Sequence, residues 1–229
     1  MIARAPLIQH HSPNFNERQG GPVNMLVLHY TGMRSAEEAI GRLLDPGAQV
    51  SAHYVVDEDG TTHALVPESG RAWHAGRSWW RGESDINSRS IGVEIVNPGH
   101  EFGYRPFPEA QMRALTRLCL GVLARHSISP RNVVGHSDIA PTRKQDPGEL
   151  FDWAMLKSYG IGLWPFEGNE SAESDPDTVA AMLTAYGYDI TDLGAAIAAF
   201  QRHFRPERVD GVADTQTAGR LQRLLVAAV

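Results

Sequence analysis

Residues 23–29 of this chain read VNMLVLH, a short run of aliphatic and β-branched residues that ends in a histidine. Such a run predicts a buried strand. A second run, IGVEIV at 91–96, predicts another strand, which stops at an Asn-Pro-Gly turn. Between the two, Ser35 and Glu38 have the spacing of a capping box and predict the start of a helix that runs to about residue 44. Strands that alternate with helices predict an α/β fold.

The rest of residues 1–165 extends this domain. Residues 52–56 and 61–66 flank the turn sequence DEDG and predict a hairpin. Apolar residues recur at helical spacing over 108–126, which predicts a long amphipathic helix packed on the sheet. A short strand is predicted at 132–134 and a helix at 151–159, whereas the polar, turn-rich first 22 residues predict an extended arm. Together these patterns predict a mixed central β-sheet flanked by helices.

The C-terminal part has a different composition. Residues 166–177 are acidic, contain little that can be buried, and predict a linker. Helical patterns at 178–186, 193–204 and 214–227 then predict a small all-helical domain over 178–229. The length of 229 residues fits one substantial domain with a small companion.

Composition excludes several classes of function. Lys and Arg total 21 against 27 Asp and Glu, and this net charge of −6 argues against a nucleic-acid partner. No run approaches the ~18 apolar residues of a membrane span. No secretory signal is visible, which favours a cytoplasmic location, and we expect a monomer. With Cys119 as the single cysteine, any metal site must be built from histidines and carboxylates.

Three candidate metal ligands occupy strand ends and an adjacent loop. His29 and His136 each close a predicted strand, and Asp146 follows in the next loop. Two imidazoles and one carboxylate leave a tetrahedral zinc ion with one open position, as in catalytic zinc sites. Spacing alone leaves open whether these residues bind metal or are buried structural groups.

Two further residues are candidates for chemistry. Glu94 interrupts an apolar strand, where a carboxylate near a metal would suit general base catalysis; the alternative is that this face of the strand is solvated. Lys144 could stabilise an oxyanion, although a lysine in a loop is more often simply exposed.

A tryptophan-rich segment suggests a groove. Trp73, Trp79 and Trp80 lie within eight residues, beside His74. Such a cluster can line a binding groove for sugar or peptide, with Trp73, His74 and Trp79 as candidate contacts. It could equally form the core of a loop.

Six motifs, taken in order, make residues 12–165 resemble the type 2 N-acetylmuramoyl-L-alanine amidases, the zinc enzymes of the AmpD and AmiD kind. They are LHYT (28–31), SAHY (51–54), AWHAG (72–76), NSRSIGVE (87–94), GHSDIAP (135–141) and KQDPG (144–148). The C-terminal segments AFQ (199–201) and DGVADTQT (210–217) resemble a three-helix peptidoglycan-binding domain.

The resemblance implies a role for each candidate. It places Zn²⁺ on His29, His136 and Asp146, with Glu94 as the catalytic carboxylate and Lys144 stabilising the transition state. The implied reaction is hydrolysis of the amide bond between N-acetylmuramic acid, or its anhydro form, and L-alanine of the peptidoglycan stem peptide. The implied partner is peptidoglycan or a muropeptide, and a wall-binding tail would favour the periplasm. The alternatives are a non-catalytic peptidoglycan-binding protein on the same scaffold and a zinc amide hydrolase with another substrate.

Overall fold

A computed structural model describes residues 7–228 of the chain. Its strands are β1 (Leu7–Gln9), β2 (Phe15–Glu17), β3 (Met25–Tyr30), β4 (Tyr54–Val56), β5 (Thr62–Ala64), β6 (Gly70–Ala72), β7 (Ser90–Ile95) and β8 (Val133–Gly135). Its helices are α1 (Ala36–Leu44), α2 (Ile86–Arg89), α3 (Gly99–Phe102), α4 (Glu109–Arg125), α5 (His136–Ile139), α6 (Trp153–Ser158), α7 (Pro176–Tyr186), α8 (Leu193–Phe204) and α9 (Thr215–Ala227).

A six-stranded mixed sheet forms the centre of the molecule. Its strand order is β1-β5-β4-β7-β3-β8. Strands β4, β7, β3 and β8 run parallel to one another, whereas β5 is antiparallel to β4. The predicted fold class, a mixed sheet flanked by helices with a helical C-terminal region, is therefore confirmed.

Local predictions hold where the sequence carries a strong signal. The predicted hairpin forms from β4 and β5, and α1 begins after Ser35, whose hydroxyl accepts a hydrogen bond from the amide of Glu38. The N-terminal segment, predicted as an extended arm or loop, is extended over 7–9 and 15–17 and pairs there with the rest of the domain, β1 with β5 and β2 with β6. These strands are exposed along their length and are held by backbone pairing, so they leave no apolar pattern in the sequence. The first six residues of the arm lie outside the described residues.

The two faces of the sheet carry different helices. On one face Leu26 and Leu28 of β3 pack against α4, which contributes Leu115 and Cys119. Cys119 is fully buried there, and burial raises the pKa of its thiol to about 12. The predicted amphipathic helix is confirmed, and the single cysteine is part of the apolar core.

The opposite face is covered by the C-terminal helices. Met25 and Val27 of β3 belong to one apolar cluster with Phe200 of α8 and Leu221 of α9. Trp80 is completely buried in the same cluster, with its ring against those of Tyr186, the last residue of α7, and Tyr188 just beyond it. The C-terminal helices therefore share a core with the sheet, while the predicted domain boundaries at 165 and 177 stay predictions.

Over residues 7–228, the structure contains no helix long and apolar enough to cross a membrane. The predicted location and the predicted monomeric state stay predictions.

Candidate metal centre and cavity

Parallel strands bring three of the candidate residues to one edge of the sheet. His29 near the end of β3 is in register with Glu94 of β7. On the other side Leu28 is in register with Gly135, the last residue of β8, so that His136 comes directly beyond it. The carboxyl ends of parallel strands form one edge, which is where open α/β sheets place their sites.

Asp146 reaches the same edge from a loop. The amide of Ser137 donates a 2.9 Å hydrogen bond to the carbonyl of Asp146. Pro147 lies so close to Gly135 that a Cβ on that glycine would stand 2.7 Å from its Cδ. Because only glycine permits this approach, Gly135 allows the loop to bring the carboxylate to His136.

The three candidate ligands form one buried cluster. Nδ1 of His29 lies 2.9 Å from Nδ1 of His136 and 3.1 Å from Oδ2 of Asp146, and Nδ1 of His136 lies 3.0 Å from the same oxygen. All three residues are buried. The fold therefore brings the predicted ligands together at one point.

The environment of His136 fixes which ring nitrogen carries the proton. Its Nε2 lies 3.0 Å from the carbonyl oxygen of Ala75, which can only accept a hydrogen bond. Nε2 therefore carries a proton, and in the neutral ring Nδ1 presents its lone pair to the cluster. Arg143 donates to the same carbonyl and to that of Arg77, which holds this loop in place.

A longer chain of hydrogen bonds fixes His29. Ser90 donates its hydroxyl proton to the carbonyl of Ile86 at 2.6 Å, so its oxygen accepts from Nε2 of His74 at 3.1 Å. Nδ1 of His74 is then an acceptor, and it receives the Nε2 proton of His29 at 3.1 Å. His29, too, therefore presents an unprotonated Nδ1 to the cluster.

The chemistry of this donor set fits a zinc ion. Burial, and the repulsion that a second imidazolium at His136 would add, lower the pKa of His29 to about 4, although Asp146 opposes the shift, and His29 is therefore neutral near pH 7. With both rings neutral, two lone pairs and a carboxylate oxygen converge on one point, an arrangement that suits a cation. Ligands at ~2.0–2.1 Å in a tetrahedral zinc site stand about 3.3 Å apart, close to the separations observed.

Glu94 lies beside this cluster in an environment that disfavours its charged form. Its Oε2 is enclosed and has no hydrogen-bond partner among residues 7–228. Burial and the negative charge of Asp146 raise the pKa of Glu94 well above its ordinary value, against the opposing charge of Lys144. Glu94 and Lys144 both line the cavity beside the cluster. The geometry thus places a carboxylate able to exchange a proton, and an ammonium group, in one cavity.

The cavity has a volume of about 650 Å³, which suits a small glycopeptide. Trp73 lines it and donates from its indole to the side chain of Asn16, at 2.9 Å. In the described structure Trp79 lies outside the lining and is 40% exposed, and Trp80 belongs to the core. The assignment of Trp73, His74 and Trp79 to substrate contacts stays a prediction.

Tyr30 and His100, which line the cavity, form with Glu149 a polar triad that sequence reasoning missed. Tyr30 donates to Nδ1 of His100 at 3.0 Å, and Nε2 of His100 lies 3.1 Å from Glu149. The ring of His100 stacks on Tyr104 at 4.3 Å. The partners are far apart in sequence, so no local pattern indicates them.

Sequence reasoning also missed Ser90, Gly92 and Asn87. Ser90 and Gly92 precede Glu94 at intervals of two along β7, so all three lie on the sheet face that carries the site. A small or polar residue at every second position of an otherwise apolar strand is a readable signal. It would have predicted a face kept clear for another group.

Comparison with known proteins extends these observations. Residues 19–149 match the family model described as N-acetylmuramoyl-L-alanine amidase. Residues 153–221 match a model for a peptidoglycan binding domain. The first match covers the six-stranded sheet except β1, together with α4, the three candidate ligands, Glu94 and Lys144, and the second covers α6, α7, α8 and the first part of α9.

Individual relatives match over most of the chain. The N-acetylmuramoyl-L-alanine amidase AmiD of Escherichia coli K12 is 38% identical, over 89% of this chain and 82% of the relative. The structure of E. coli AmiD with anhydro-N-acetylmuramic acid-L-Ala-D-gamma-Glu-L-Lys superposes with a TM-score of 0.83 at 36% identity, covering 93% of each chain. AmpDh3 of Pseudomonas aeruginosa with an anhydromuramic pentapeptide gives a TM-score of 0.81 at 33% identity, covering 90% of this chain and 92% of the other.

Proposed function

Because this chain belongs to the N-acetylmuramoyl-L-alanine amidase family, we propose that His29, His136 and Asp146 bind the zinc ion on which its reaction depends. The family predicted from the sequence is confirmed. The enzyme is a hydrolase that cleaves the amide bond between N-acetylmuramic acid, or its anhydro form, and the L-alanine of a stem peptide. The comparisons give no support to the alternative of a non-catalytic binding protein.

The observation that carries the zinc proposal is the direction of the protons around the cluster. Both histidines give their Nε2 protons to neighbours, and their Nδ1 lone pairs face Asp146. A structural cluster would place a proton between each nitrogen and the carboxylate. With both imidazoles neutral, a bound cation satisfies all three groups.

The residues of the cavity have separate roles in the reaction. When bound, zinc supplies Lewis-acid polarisation of the scissile carbonyl and acidifies water at neutral pH. Glu94 accepts a proton from the attacking water on a carboxylate oxygen and returns it to the departing amine of L-alanine, so the carboxylate ends as it began. Lys144 stabilises the negative charge that develops on the carbonyl oxygen. Burial suits Glu94 to this work because it raises the pKa towards the working pH.

The experiment compares two substitutions on the purified full chain. We expect Glu94→Gln to bind zinc stoichiometrically and to lose turnover of an anhydromuropeptide, because the metal ligands remain and the proton acceptor does not. We expect His29→Ala to lose both metal and turnover. Metal content is measured by mass spectrometry, and product by release of free stem peptide.

Two outcomes would contradict the proposal. Full turnover by Glu94→Gln would exclude this carboxylate as the proton carrier. A wild-type protein that binds no zinc at neutral pH would exclude the metal centre itself. Binding of wall polymer by the helical region stays a prediction, supported by its match to the peptidoglycan binding domain model.

A further inference from the structure

We propose that His74 is a positioning residue, which acts through His29 by holding that imidazole in the tautomer and orientation that bind the metal. The proposal rests on the proposed zinc site. It departs from the prediction that His74 contacts the substrate.

The first support is the direction of the hydrogen-bond chain. The carbonyl of Ile86 can only accept, so the proton of Ser90 is committed to it and the Ser90 oxygen must accept from His74. This leaves Nδ1 of His74 as the acceptor for the Nε2 proton of His29. The chain begins at a fixed backbone group and ends with a lone pair facing the metal cluster.

The second support is that both ring nitrogens of His74 are engaged within the protein. Nε2 binds Ser90 and Nδ1 binds His29, both at 3.1 Å. The residue borders the cavity but is only 8% exposed. A direct hydrogen bond from His74 to a substrate would require one of these buried contacts to break.

The third support is the way the ring is held. It lies directly on the backbone of Gly92, where a Cβ would stand 2.4 Å from its Cγ. Behind it, the side chain of Asn87 accepts hydrogen bonds from the amides of His74 and Ala75, at 3.1 and 2.8 Å. Gly92 leaves room for the ring, and the hydrogen bonds to Asn87 hold the backbone of His74. Together they keep the imidazole in one orientation.

This arrangement matters because imidazole has two tautomers of similar stability. A protonated Nδ1 on His29 cannot be a metal ligand, and only a hydrogen bond at Nε2 selects the useful form. Partners of this kind typically contribute about 10–100-fold to metal affinity. We therefore expect the loss of the His74 acceptor to weaken zinc binding rather than to change substrate recognition.

The test uses a pair of variants of similar shape on the full chain. His74→Leu removes the acceptor for His29, whereas His74→Asn retains an oxygen at the position of Nδ1. We expect zinc affinity, measured by competition with a chromophoric chelator, to fall about 10–100-fold in His74→Leu and to recover to within about 5-fold in His74→Asn. The visible spectrum of the cobalt-substituted protein should change in His74→Leu, because the ligand field of His29 changes.

Ser90→Ala provides a second variant that keeps the imidazole itself. It removes the acceptor that orients His74, and we expect about 10-fold weaker zinc binding. Ser88→Ala is its matched control, since Ser88 is also buried and its hydroxyl donates to Asp85, outside the chain that leads to His29. The control should bind zinc as the wild type does.

The outcomes separate this proposal from the one on which it rests. Zinc affinity within about twofold of wild type in both His74→Leu and Ser90→Ala, with unchanged cobalt spectra, would overturn the positioning role. If His74→Leu fails to fold, Ser90→Ala decides the question alone. A wild-type protein that binds no zinc would instead overturn the proposed function.

Discussion

Helix α5 carries two buried histidine–carboxylate clusters of opposite character. His136 faces Asp146 and His29, while Asp138, two residues on and about 200° around the helix, faces the C-terminal helices. Oδ1 of Asp138 accepts a hydrogen bond from the hydroxyl of Tyr188 at 2.7 Å, and its Oδ2 accepts one from the amide of Gly135 at 2.7 Å and lies 2.7 Å from Nδ1 of His203. In that cluster each contact to the Asp138 carboxylate is made by a donor group that carries a proton.

The difference between the clusters is therefore one of proton count rather than of residue type. Around Asp138 three donors meet one carboxylate, and the network is complete without help. Around Asp146 the neighbouring nitrogens have given their protons elsewhere, and the network is complete only with a cation. A histidine beside an aspartate indicates a metal site when the protons point away from the carboxylate.

The largest effect is expected for Asp146→Asn. The substitution removes the charged ligand, so zinc and its several kcal/mol of transition-state stabilisation are lost, and turnover should fall on the order of 10³-fold. In chelator, the free energy of unfolding should stay within about 1 kcal/mol of wild type, because the oxygen accepts no proton from either histidine. Turnover and urea unfolding measure the two effects. A large loss of stability in chelator would mean that this cluster is structural.

Metal removal is expected to affect only one of the clusters. At a zinc concentration of 100 times Kd, binding stabilises the folded state by about 2.7 kcal/mol, and chelator should remove that amount. The shift in thermal unfolding should be absent in Asp146→Asn and present in Tyr188→Phe. An equal shift in the wild type, Asp146→Asn and Tyr188→Phe would show that the two clusters do not differ in their dependence on metal.

Tyr188→Phe tests the complete cluster. It leaves a buried carboxylate one donor short, and we expect the free energy of unfolding to fall by about 1–3 kcal/mol while zinc content is retained. Tyr159→Phe is the matched control, because Tyr159 is exposed and its change should leave stability unaltered. Loss of zinc in Tyr188→Phe would show that the two clusters depend on each other.

The smallest effect is expected at a cluster nearer the surface, and it calibrates the other two. Burial raises the pKa of Glu68, but hydrogen bonds from Arg125, His126 and Tyr54 outweigh this effect and lower the pKa from 4.5 to about 2. Its stabilising contribution is therefore present above pH 4.5 and is lost as the pH falls towards 2. We expect Glu68→Gln to cost less than about 1 kcal/mol at pH 7, owing to solvent screening, and almost nothing at pH 2. Acid titration of the unfolding free energy in both proteins measures the difference, and a gap that does not narrow would contradict it.

Much of the site could be predicted from the sequence because strand ends are visible there. Apolar runs that stop at His29 and around Glu94 indicate residues at the edge of a sheet. Position in the chain also made Asp146 a candidate ligand, but its approach depends on a loop folding onto Gly135, a contact that spacing does not reveal, and the resemblance implied its role. Lys144 was likewise a candidate for oxyanion stabilisation from its position, with an exposed loop lysine as the alternative.

The remainder could not be predicted because it depends on contacts between distant segments. Which nitrogen of His29 faces the metal is decided by His74 and Ser90, which lie 45 and 61 positions along the chain. Likewise Trp79 and Trp80 are adjacent and alike in sequence, yet only Trp80 is in the core. In an irregular loop no periodicity separates the buried residue from the exposed one.

The core that Met25 and Val27 share with Phe200 and Leu221 has a consequence for how the enzyme can be divided. A module that merely tethers a catalyst to its polymer can be exchanged for another, because nothing but a flexible connection is lost. In this protein, removing the C-terminal helices would uncover the apolar face of the sheet. Both parts would then expose apolar surface to water. The regions matched by the two family models should therefore melt in one cooperative transition. Replacing the C-terminal helices with a different binding module would therefore also require new residues on the face of the sheet that they cover.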